Sequence, residues 1–221
     1  MSKVKSFVRW RNMCIALILV STVVASISLD RLFFRPINVK PNQICGDFGS
    51  TGMEEGPVRE LLPARGTATS VWVDRRSRER GYQASCYVSA NGKTVLRITL
   101  NTVDGEEASW RSRVAYDEGL ELETAKSFDY GAVGLAWKEA AAIYQPCRTS
   151  KEGASYMNGI EHPYHDVRVR VGPGASVNED SIRQNLAYMA SWMLFRAQRV
   201  TGCQIDGSVK SPSPEILIPD P

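Results

Sequence analysis

Tyr82-Gln-Ala-Ser-Cys-Tyr-Val-Ser-Ala90, then Asn91-Gly92, then Lys93-Thr-Val-Leu-Arg-Ile-Thr-Leu-Asn-Thr102 is the stretch that sets the fold class. Asn-Gly accepts positive φ at both positions and closes a tight type I′ hairpin. On the second arm Leu96, Ile98 and Leu100 alternate with Val95, Arg97, Thr99 and Asn101, the period of a strand with one buried face. Two long antiparallel strands therefore lie at the heart of the chain.

The pattern extends on both sides. Ala68 to Asp74 alternates, with Val71 and Val73 on one face and Ser70, Trp72 and Asp74 on the other. Arg75 to Gly81 reads as a charged turn, more simply a solvated hairpin tip than a grip for phosphate. Met53 to Leu62 makes a short helix with Val58, Leu61 and Leu62 inward, and Pro63 helps end it. Gly46 to Gly52 lacks the Gly-Lys-Ser/Thr ending of a phosphate-binding loop and reads as a plain turn.

Downstream, Trp110, Val114 and Ala115 have helical spacing within Asp104 to Glu118, and Gly119 ends that helix. Ala142, Ile143 and Tyr144 suit a strand, but a short helix over 136–142 competes because Trp-Lys-Glu-Ala-Ala-Ala favours helix. Arg148 to His165 reads as a loop, and Asp166 to Gly172 as a strand with three valines on one face and Arg168 and Arg170 on the other. Ser176 and Glu179 match a capping box, opening a helix from Val177 to Thr201. Its stripe of Ile182, Leu186, Met189, Met193 and Ala197 faces a core, and Gly202 caps it. The fold class is α+β: antiparallel strands packed against two or three helices.

Met13 to Leu29 is an uncharged apolar run bounded by Asn12 and Asp30, at the lower limit for a spanning helix. Lys3, Lys5, Arg9 and Arg11 precede it with no acid among them, which keeps the N-terminus cytoplasmic and sends the bulk outside. The expected layout is a basic cytoplasmic stub over 1–12, a transmembrane signal anchor over 13–29 and a stalk over 30–44 broken by Pro36 and Pro41. An extracytoplasmic domain over 45–207 and a proline-rich disordered tail over 208–221 complete it. A cleaved signal peptide, with a secreted product, is the alternative because Val23-Val24-Ala25 offers small residues for cleavage. The chain of 221 residues carries +3, and the four basic groups before residue 13 leave −1 for the rest, so no global field favours nucleic acid.

Four cysteines lie beyond the anchor: Cys45, Cys86, Cys147 and Cys203. An even number in an exported chain reads as two disulfides, with three pairings open. One staple per half, Cys45 with Cys86 and Cys147 with Cys203, is the expected arrangement. A four-cysteine zinc site lacks the usual close Cys-x-x-Cys pair.

Chemistry-bearing motifs are sparse. The two histidines, His162 and His165, sit in Glu161-His-Pro-Tyr-His-Asp166 and are candidate ligands for zinc or copper. Pro163 denies them the helical His-Glu-x-x-His geometry, and the plain reading is a polar loop. Asp104, Glu106, Glu107, Asp117 and Glu118 read as solvated carboxylates. No catalytic residue and no cofactor is expected. The preferred function is a membrane-tethered extracytoplasmic binding or structural module, with a cell-envelope protein or polymer as partner. A secreted or tethered hydrolase with a metal at His162 and His165 is the alternative.

The basic head, single apolar helix, Cys45-Gly opening the domain, Tyr-Gln-Pro-Cys147 before a valine-rich strand, and long helix ending at Cys203 resemble uncharacterised membrane-anchored or secreted proteins of actinomycetes. The resemblance covers most of the outer domain. It implies an extracytoplasmic α+β domain and carries no catalytic residues.

Overall fold

The structure, a computed structural model, describes residues 20–22, 44–45, 55–63, 66–77, 81–130, 133–149, 160–172 and 179–204. Residues 1–19, 23–43 and 205–221 fall outside these, and with them the expected basic stub, the expected stalk except Ile44, which is fully buried, the expected proline-rich tail and all of the expected anchor but residues 20–22, which are helical. Among the described residues no helix is long and apolar enough to cross a membrane. The Ser176 cap also lies outside them.

Seven antiparallel strands form one sheet in the order β1-β2-β3-β8-β6-β5-β4. The strands are β1 (Ala68–Ser77), β2 (Gly81–Ala90), β3 (Lys93–Asp104), β4 (Lys126–Asp129), β5 (Val133–Ala136), β6 (Ala140–Pro146) and β8 (Pro163–Val171). Two three-stranded meanders thus flank β8, the last of the seven to be made and the middle one in space. A two-residue ladder joins β7 (Arg148–Thr149) to β9 (Cys203–Gln204). The helices are α1 (Glu55–Glu60), α2 (Glu107–Glu118) and α3 (Glu179–Thr201). Asn91 and Gly92 take φ of 52° and 77°, the geometry that a type I′ turn demands.

The sheet is covered on both faces, but unequally. On one face Cys86, Val88, Leu96, Ile98, Leu100, Ile143, Val167 and Val169 pack against α3, whose Leu186, Met189 and Met193 are buried as the helical spacing predicts. α3 goes further than an amphipathic stripe. Residues 185–194 are buried all round, because α1 and the turn after it bring Val58, Leu61 and Leu62 into the same core. Asn185 Nδ2 donates to Glu60 Oε2 at 2.8 Å across that junction. On the opposite face α2 seats Trp110, Val114 and Ala115 against Leu135, Ala142, Tyr144 and Tyr164. Gly119, at φ 66°, ends α2 by returning its N–H to Tyr116 O.

One open alternative closes and one reading changes. The alanines at 140–142 form strand β6, not a helix, because a strand pressed between helices on both faces needs small side chains and packing overrides propensity. β8 begins at Pro163 rather than Asp166, so His165 belongs to a central strand and not to a loop. Proline is tolerated as the first strand residue, where its missing donor costs least.

Cys45 is bonded to Cys86 and Cys147 to Cys203, with Cα separations of 5.4 and 5.2 Å. They close loops with sequence separations of 41 and 56. In the chain-entropy view each cross-link is worth about 4 kcal/mol.

Candidate functional site

Three features combine chemistry with position. The first is a buried polar row on the α3 face. Thr102 of β3, His165 of β8 and Gln145 of β6 stand side by side in register, all buried. Thr201, at the end of α3, closes over them. Its Oγ1 donates to Ala197 O at 2.8 Å, so it meets His165 Nε2, 3.1 Å away, as an acceptor. Nε2 therefore carries the proton and Nδ1 accepts from Thr102 Oγ1 at 3.2 Å. Burial holds the imidazole neutral, its pKa lowered to about 4. Cys147 Sγ lies 3.9 Å from Nε2, and the donor atoms of Cys147, His165 and Cys203 all fall within 4.8 Å of one another.

His162 is not part of that group. It is exposed just before β8, and its backbone N–H donates to Asp104 Oδ1 at 2.8 Å. The two histidines of the motif thus serve different surroundings: one ties a loop to the end of β3, the other fills the layer beneath α3.

The second feature is an ionic lattice between α2 and the sheet. Asp166 is buried and accepts from Trp110 Nε1 at 2.9 Å and from Arg168 at 2.7 to 3.1 Å. Arg168 also reaches Asp117 at 2.9 Å. Burial opposes the Arg168 charge, but the hydrogen bonds and charges of Asp166 and Asp117 outweigh it and hold its pKa above the ordinary value. Glu118, only 6% exposed, takes both oxygens to Arg97 Nη2 at 2.8 and 2.9 Å and meets Arg170 at 3.1 Å. Arg170 also donates to the Glu118 carbonyl at 2.6 Å, satisfying a free acceptor at the helix end. Glu118 is accordingly not a solvated carboxylate. The signal was there: it falls four residues after Val114 and eight after Trp110, on the inward stripe of α2, facing the outward arginines of β8. Three guanidiniums meet carboxylates here with every close contact internal, so the lattice fixes α2 to the sheet.

The third is the other half of the same face. α2 covers β5, β6 and β8 but leaves β1 and β2 without a helix among the described residues. There Val71 and Val73 are 58% and 43% exposed and Tyr87 is 39% exposed. Val71 and Tyr87 are register partners, and Arg97 stands opposite Tyr87 on β3. Alternation in the sequence located β1 but not its inward face. Trp72, not the valines, turns to the α3 side, where Arg196 stacks on its ring at 4.9 Å.

No family model matches the chain, and no curated protein or solved structure matches it either. What the molecule does therefore rests on these three features.

Proposed function

We propose that the protein is a membrane-tethered extracytoplasmic module that binds a cell-envelope protein through the open face of β1 and β2, with residues 13–29 as the anchor and the N-terminus cytoplasmic. The carrying observation is the cluster of Val71, Val73 and Tyr87, exposed together on a rigid sheet. Of the large apolar side chains exposed among the described residues, these three sit on two paired strands, whereas Tyr116 is on α2 and Val20 lies in the 20–22 segment. An aromatic ring beside branched aliphatics and a guanidinium is the composition that dominates protein contacts. The apolar run at 13–29 and its basic flank support the anchor. A polymer of the envelope is the competing ligand of the same face.

A photo-crosslinking residue placed at Val71 or Tyr87 of the full-length chain, in its native membrane, tests the reading. Discrete protein adducts from these sites, and none from Tyr116 at 86% exposure on α2, are expected. Val71→Glu with Val73→Glu should remove the adducts with the melting temperature unchanged. Equal labelling from Tyr116, or no adduct from β1 and β2, would refute it.

A further inference from the structure

We propose that Cys147, His165 and Cys203 are a redox-gated zinc site: closed by the disulfide, opened by a dithiol reductant, and then able to hold Zn2+ through two thiolates and one imidazole. The inference is independent of the open sheet face.

The donor set and its placement carry the argument. Two cysteines and a histidine are ligands zinc favours, and tetrahedral bonds of about 2.1 to 2.3 Å place donor atoms roughly 3.3 to 3.8 Å apart. The three donor atoms here already lie within 4.8 Å, with Nε2 to Cys147 Sγ at 3.9 Å. The sulfurs must separate by less than two ångströms in order of magnitude to reach zinc geometry. The backbone that holds them is suited to this, because Cys147 precedes and Cys203 belongs to a ladder only two residue pairs long. The imidazole is presented correctly. Its far nitrogen, Nδ1, is engaged by Thr102 Oγ1, the outer hydrogen bond that orients metal-bound histidines.

A second, separate observation points to a polar guest in this layer. Among the described residues, Gln145 Oε1 and both amide atoms of Gln198 are buried without a hydrogen-bond partner. Gln145 flanks His165 in the sheet, and Gln198 precedes Thr201 by one helical turn. Buried amides require partners. A water in the fourth zinc position is a group that such amides satisfy.

The chemistry balances. The dithiol gives two electrons and two protons to the Cys147–Cys203 bond, which breaks into two thiols, while the dithiol closes to its own disulfide. Zinc then displaces both thiol protons. The His165 proton moves from Nε2 to Nδ1, which donates to Thr102 Oγ1, so two protons leave per metal bound. The Cys45–Cys86 pair lies apart from this group, and reducing it supplies two thiols without the imidazole.

Co2+ added to the full-length protein in detergent is the probe. After reduction we expect about one Co2+ per chain, with thiolate charge-transfer absorption and the intense visible bands of tetrahedral cobalt. Before reduction there should be none. Thr102→Val should weaken the metal about 10- to 100-fold, and the pair Cys45→Ser with Cys86→Ser should leave it unchanged. Because variants at His165 or Cys147 can fail to fold, the deciding measurement is on the unaltered chain: Zn2+ should shield Cys147 and Cys203, but not Cys45 and Cys86, from alkylation after reduction. Shielding of Cys45 and Cys86 instead, shielding of no thiol, or equal binding before reduction overturns the proposal.

Discussion

Replacing Asp166 with alanine removes the acceptor on which α2 and the sheet both depend. Its carboxylate is 4% exposed and serves Trp110 Nε1, on a side chain with no exposure, and Arg168, whose side chain is 14% exposed. Truncating one partner of a buried pair costs about 3–5 kcal/mol. Asp117 stays beside Arg168, although it is 41% exposed, which places this part near about 3 kcal/mol. The orphaned indole N–H adds about 1 kcal/mol or more. Asp166→Ala should therefore lose about 4 kcal/mol, or roughly 8–16 °C in melting temperature for a domain of this size. Asp166→Asn keeps an oxygen for the indole and should lose only about 1–2 kcal/mol. Urea unfolding at neutral pH, with the m-value unchanged, measures both. A loss under about 1 kcal/mol for alanine, or equal losses for alanine and asparagine, would mean that α2 is held by apolar packing and that the lattice is ornamental.

Two further outcomes are expected. His165 has a folded pKa lowered to about 4 against about 6.5 unfolded, so the unfolded chain binds the extra proton between those values. Its contribution is complete above pH 6.5 and is lost as pH falls toward 4, by about 3 kcal/mol, and His165→Gln should flatten that part of the urea-derived stability profile; a slope unchanged by the substitution would contradict the assignment. At Gly134 an added Cβ would sit 2.5 Å from the Phe128 ring, whereas at Gly56 nothing lies within 4 Å. Gly134→Ala should cost about 1–3 kcal/mol and Gly56→Ala should gain up to about 1 kcal/mol by stiffening α1, as thermal unfolding will show.

The parts of the fold legible in the sequence are those with local causes. The Asn91-Gly92 hairpin, the valines of β8 and the stripe of α3 each carry their own period, and all three stand as read. What escaped or stayed open depended on distant neighbours. The alanines of β6 favour helix by themselves, and only the layers above and below make them a strand. Glu118 is polar by type and buried by company, since its arginines come from β3 and β8. His165 was visible as a ligand type, but Thr102 and Thr201, which orient it, lie 63 and 36 residues away. The cysteine pairing came through because one staple per half is also what the topology permits: Cys86 and Cys203 both end on the side of α3.

That last point divides the molecule. Both staples, the His165 row, α1 and the large core cluster lie on the α3 side of the sheet. The opposite side holds α2 by the ionic lattice to β3 and β8, and among the described residues no helix continues over β1 and β2, where Val71, Val73 and Tyr87 are exposed. A face whose loss of packing is tolerated must be supported from behind, and the Cys45–Cys86 staple supplies that support through β2, at the residue next to Tyr87. Changes on the α3 side should therefore move stability and binding together. Changes at Val71 or Tyr87 should move binding alone. If substitutions on the open face destabilise the domain as strongly as Asp166→Ala, those side chains are core in a larger assembly, and the face is a permanent interface and not a docking surface.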